Sequence, residues 1–109
     1  MTRYDLFCMI FFALDADWDE THDEELGKYL SDANPFLFEG EGSAISEVYN
    51  EFCRIIKTEN IVKEKSFDLA KEYVNRLNNR AVTESFDLLK EDQWKDALNA
   101  YLEMETRDE

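Results

Sequence analysis

The sequence predicts an all-α domain, a compact bundle of five or six helices. Three observations carry that prediction. No glycine or proline follows Ser43, so the whole second part of the chain lacks the residues that most often interrupt a helix. Apolar residues recur there at i, i+3, i+4 and i+7, the spacing of one helical face. No run rich in β-branched residues offers a strand for any other to pair with. The breakers gather instead in Ser31–Ser43, which holds the only proline and two of the three glycines. Asn34 before Pro35 is pushed toward extended backbone, and Gly40 and Gly42 reach conformations with positive φ. The stretch 34–42 is therefore an irregular connector. Its Phe36, Leu37 and Phe38 are apolar enough to be expected in the core.

The first element is expected over 4–14. Leu6 to Leu14 is uninterrupted apolar sequence, and periodicity alone does not separate a buried helix from a buried strand here. The missing partner strand favours helix. Asp15–Glu25 follows, with seven acids in eleven residues and no lysine or arginine. Thr21 with Glu24 reads as a capping box opening a second helix over 22–33, with Asp23, Glu24 and Glu25 in its first turn and Leu26, Tyr29, Leu30 and Ala33 on its inner face. Ser43 caps a third helix striped by Ile45, Val48, Tyr49, Phe52, Ile55 and Ile56. A fourth begins at about 61 or 66 and ends at Asn78-Asn79, since asparagine accepts the left-handed conformation used at helix ends. Thr83 and Asp92 are candidate caps for the remainder, either two helices or one long one, and the charged tail 103–109 is expected to fray.

The chain of 109 residues is read as one domain, 1–109, and 8 Phe, 5 Tyr and 2 Trp supply its core. Cys8 and Cys53 sit within apolar patterns and are expected to be reduced, core-packed thiols of a cytoplasmic protein. The opening run is too short to span a bilayer, and no small-x-small cleavage site follows it, so neither anchor nor leader is expected.

The net charge of −14 is unevenly distributed. Residues 1–53 carry 13 acids against 2 bases, residues 54–80 carry 4 against 7, and residues 81–109 carry 9 against 3. Such a chain repels phosphate backbones and anionic membranes, so nucleic acid and membrane surfaces are not expected partners. A basic protein is. Solubility alone is the plain explanation of acidity, and a complementary docking surface is the sharper one.

Residues with the potential for chemistry are few. Asp15, Asp17, Asp19, Thr21 and Asp23 match positions 1, 3, 5, 7 and 9 of an EF-hand loop, but Glu20 stands where glycine is needed and Leu26 where the bidentate glutamate belongs. His22 is the only histidine, so it is the only imidazole base for any nucleophile, and it lies among acids on what reads as the surface. Neither a glycine-rich phosphate loop nor a nucleophile elbow occurs. No catalytic, cofactor or metal site is expected. The candidate partner-binding residues are Asp15, Asp17, Trp18, Asp19, Glu20, Asp23, Glu24 and Glu25, an aromatic side chain within an acidic rim. Trp18 folding back onto the core is the competing expectation. Two other readings stay open: a ligand or enzyme site in a cleft lined by Trp94, Tyr101 and carboxylates, and a homo-oligomer joined through Phe36, Leu37 and Phe38.

Leu30-Ser-Asp-Ala-Asn-Pro-Phe-Leu-Phe38 followed by Val48-Tyr-Asn-Glu-Phe52 resembles uncharacterised small acidic helical bacterial proteins of toxin-immunity type. That resemblance implies a non-enzymatic protein that binds and blocks a basic toxin enzyme, and it assigns no functional residue.

Overall fold

In the computed structural model, which describes residues 1–37, 40 and 42–107 (of 37 and 105–107, the backbone), an apolar helix is surrounded by shorter amphipathic ones. The order is α1 (Arg3–Thr21), α2 (Glu24–Ala33), α3 (Ser46–Ile55), α4 (Ser66–Arg76), α5 (Arg80–Asp87) and α6 (Glu91–Arg107), with short 3-10 turns at Pro35–Leu37 and Lys63–Lys65. No strand occurs among the described residues, and the radius of gyration is 13.0 Å, about what a compact chain of this length should have.

The opening apolar run is helical because it lies in the middle. Leu6, Phe7, Cys8, Met9, Ile10 and Phe11 are all buried. Six successive residues point in every direction around a helix, so this half of α1 is enclosed on all sides. It packs against α2, α3, α4, α5 and α6. A capping box holds its start: the Thr2 hydroxyl accepts from Asp5 N at 3.1 Å while the Asp5 carboxylate accepts from Thr2 N at 2.9 Å. The extended segment after α3 ties the terminus down further. Arg3 N donates to Glu59 O and Ile61 N to Met1 O, at 2.9 and 2.8 Å.

Several boundaries differ from those the sequence suggested. α1 runs on through the acids to Thr21, because Leu14, Asp17 and Trp18 continue an inward face and no breaker stops it. The turn is confined to His22, in the left-handed conformation at φ 54°, and Asp23. Asp23, not Thr21, caps α2: its Oδ1 accepts from Leu26 N at 3.0 Å. Ser43 supports α3 from outside the helix by accepting from Tyr49 N. Asn79 caps α5 through Val82 N, leaving Thr83 inside the helix, and Asp92 lies in the first turn of α6 behind a Gln93 Oε1 that accepts from Lys90 N. α5 and α6 are separate helices, and α6 continues to Arg107, within the segment expected to fray.

The connector is also corrected in part. Asn34 leaves the helical region, at φ −55° and ψ 112°, and Gly40 has φ 93°, the positive value that glycine allows. Phe36, however, is not in the core; it is 67% exposed. The Asn34 carboxamide accepts from Phe36 N, and the tight turn puts Pro35 inward instead. Phe36 meets the rings of Phe11 and Phe12 at the molecular edge. The side chain of Leu37 and all of Phe38 lie outside the described residues. Of the stripe expected for the third helix, Phe52 and Ile56 are buried but Ile45 is exposed.

Candidate functional site

Two surfaces carry features that folding alone does not use. The first is the acidic end of α1 with the start of α2. Within it, three of the eight residues singled out from the sequence have structural work. Asp17 is half-buried and its Oδ2 accepts from the Ser85 hydroxyl at 2.7 Å, joining α1 to α5. Asp23 is the α2 cap. Trp18 folds back: its Nε1 donates to Asp23 O at 3.1 Å, its ring stacks on His22 at 4.8 Å between centroids, and it covers Gly27 so closely that a β-carbon there would stand 2.8 Å from Nε1. Trp18 is thus half-buried and packed against the core rather than standing free as a docking anchor.

The other five, Asp15, Asp19, Glu20, Glu24 and Glu25, are exposed. Asp15 and Asp19 share one side of α1 at i, i+4, while Asp17 faces away toward α5. Among the described residues none of the five is in an ion pair. The ion pairs present are short-range ones on single helices, Arg54–Glu51, Arg76–Glu72 and Arg80–Glu84 among them. Arg80, held above its ordinary value first by its bond to Glu84, also lies in the field of Glu25. No group of His, Cys, Asp and Glu among the described residues is arranged to hold a metal ion.

The second surface is a groove of about 620 Å³ between α1 and α6. Phe12, Ala13 and Ala16 line it from α1, Ala97, Ala100 and Tyr101 from α6, and Phe36 closes one edge. Trp94 also reaches it, so the aromatic cleft expected from Trp94 and Tyr101 exists. Its chemistry differs from the expectation, because no carboxylate lines it among the described residues. The polar atoms of Trp94 and Tyr101 are already engaged: Trp94 Nε1 donates to Ser66 Oγ at 2.9 Å and Tyr101 OH to Asp5 Oδ1 at 3.0 Å. The sequence signal for the groove was the paired alanines at i, i+3 on two helices, Ala13/Ala16 and Ala97/Ala100, which leave a hollow between larger neighbours.

No family model, curated protein or solved structure matches the chain. No helix among the described residues is long and apolar enough to cross a membrane.

Proposed function

We propose that this protein is a non-enzymatic binding module that docks a basic protein through the acidic segment Asp15–Glu25. An immunity protein or inhibitor that covers a basic toxin or enzyme is the form this takes, in keeping with the resemblance of residues 30–38 and 48–52. The observation that carries the reading is the set of exposed carboxylates at Asp15, Asp19, Glu20, Glu24 and Glu25 with no ion pair among the described residues. Of the bases of the middle third, Arg54, Arg76 and Arg80 are each paired within their own helix, and Glu25 feels Arg80 only at a distance, behind its closer partner Glu84.

Their position supports the same conclusion. The last turns of α1 carry Asp17, Asp19 and Glu20 and no base. Negative charge at a helix C-terminus opposes the helix dipole, at roughly 0.3–1 kcal/mol per group. Local choices that work against the fold are expected where function needs them.

The test is capture by the immobilised protein from extracts of the organism that encodes it, beside a variant with Asp19, Glu20, Glu24 and Glu25 changed to lysine. The expected partner is basic, is held at low salt, is released as salt rises, and is absent from the variant. A partner held equally by the variant, or indifferent to salt, overturns the reading. The small-ligand alternative keeps Trp94 and Tyr101 in a cleft but finds no carboxylate there among the described residues to act as acid or base. The homo-oligomer alternative draws on the exposed Phe36.

A further inference from the structure

We infer that the α1/α6 groove receives the apolar face of a basic amphipathic helix presented by the partner. This rests on the reading of the partner as basic and adds the place and shape of its contact.

Three of the large apolar side chains that are exposed collect at this groove: Phe12 at 39%, Phe36 at 67% and Met104 at 65%. Apolar surface gathered in one place and rimmed by charge marks an interaction site. The groove follows α1 from Tyr4 to Ala16. At 1.5 Å per residue that is roughly 18 Å, about three turns of a bound helix, the length over which i, i+3 or i+4, and i+7 side chains act as anchors. Small alanines line it from both helices, between larger aromatic rings, with the buried Cys8, Met9 and Trp94 beneath. A small polar ligand is poorly served, because pockets for such molecules need a few convergent polar groups. Here the Trp94 and Tyr101 donors are spent on Ser66 and Asp5.

Charge selects the occupant. One turn beyond Ala16, the groove side of α1 runs onto Asp19 and Glu20, and beside Ala97 on α6 stands Asp96; all three are exposed. The nearby Lys95 is paired with Glu91. Lysines or arginines on the outer face of a bound helix meet these carboxylates. A second copy of this chain, at −14, brings like charge to the same rim.

The experiment uses the full chain and synthetic helical peptides of about 18 residues, long enough for measurable helicity. One peptide has leucines at i, i+3, i+4 and i+7 and lysines elsewhere. A second has the same composition with the leucines scattered, and a third keeps the leucine pattern with glutamine in place of lysine. Binding is read by anisotropy of the labelled peptide, with Trp emission as a second signal. The patterned basic peptide is expected to bind at least tenfold more tightly than either other peptide. Ala97→Phe, which fills the groove from an exposed helix position, is expected to remove that advantage. Equal binding of patterned and scattered basic peptides, still salt-sensitive, overturns the groove and leaves the acidic docking reading standing. Equal binding of the glutamine peptide overturns the basic-partner reading, and the inference with it. A dimer in sedimentation that Ala97→Phe abolishes assigns the groove to a second copy and overturns the inference.

Discussion

At the residue scale, Trp18 and Gly27 show how a single absent side chain fixes an aromatic one. Alanine is a better helix former than glycine by about 1 kcal/mol, so Gly27→Ala should stabilise α2 if nothing opposed it. The Trp18 indole does oppose it, at 2.8 Å from where the β-carbon would lie. Displacing the ring breaks the Nε1 bond to Asp23 O and the stack on His22, together worth about 1–2 kcal/mol with the packing lost. Gly27→Ala is therefore expected to lower stability by roughly 0.5–1 kcal/mol in denaturant unfolding, with a red shift in Trp emission; a gain in stability contradicts the assignment. A second residue-scale device is the buried contact between the Tyr29 and Tyr73 hydroxyls, 2.9 Å apart. Burial, more than any other cause, raises both phenols, Tyr29 well above its ordinary 10.0 and Tyr73 to about 12. Unfolded tyrosine gives up its proton near pH 10 while the folded pair keeps it, so the stabilisation is complete below pH 10 and is lost as pH climbs through 12. Absorbance at 295 nm should show two of the five tyrosines ionising only as the chain unfolds. Tyr29→Phe strands the Tyr73 hydroxyl at a cost of about 1–3 kcal/mol, whereas the Tyr29→Phe, Tyr73→Phe double variant should cost less than either single change, which a double-mutant cycle measures.

At the scale of elements, α1 is the place where local rules and the whole fold part company. Its first half obeys them, with a capping box at Thr2 and an apolar surface enclosed on every side. Its second half ends in acids facing the wrong pole of the dipole. Asp19→Lys with Glu20→Lys should raise stability by about 0.5–1.5 kcal/mol while weakening capture of the partner. Loss of stability, measured by thermal unfolding, would mean those carboxylates have partners after all. This same element explains what was legible in the sequence. The all-helical class and the inner residues Leu26, Tyr29, Leu30, Ala33, Phe52 and Ile56 follow from spacing, because a core selects apolar side chains at a helical period whatever their order in the chain. The end of α1 did not follow, since acids read as a turn until Leu14, Asp17 and Trp18 are seen to share an inward face. Phe36 was misread for a related reason. Hydrophobicity signals a wish for burial, but the Asn34 carboxamide and Pro35 ring decide which residue of the turn points inward. The groove was half legible: Trp94 and Tyr101 announced an aromatic cleft, but only the docking of α6 on α1 shows that alanines from both helices line it and that no carboxylate does so among the described residues.

At the scale of the whole molecule, salt should act on folding and on binding with opposite signs. The protein measures 36 × 30 × 24 Å. The screening length is about 30 Å at 0.01 M salt and about 8 Å at 0.15 M, so at low salt carboxylates across the entire molecule repel one another and at physiological salt only neighbours do. Against this repulsion stand the pairs Lys28–Asp32, Arg54–Glu51, Arg76–Glu72, Arg80–Glu84 and Lys95–Glu91, all exposed and each joining residues one turn apart. Exposed pairs of that kind contribute about 0–1 kcal/mol, typically 0.3–0.5 within a helix, and salt weakens them as well. With a net charge of −14 the repulsion wins, so adding salt from 0.01 to 0.2 M should raise Tm by several degrees, a change of roughly 1 kcal/mol in a domain of this size. The same addition should weaken the hold on a basic partner, because the charges that repel one another in the free protein are the ones that attract it. Calorimetry of the free protein and a binding titration over one salt series test both slopes. Stability that falls with salt would place the balance in ion pairs, and the exposed acids would then have no surplus attraction to offer.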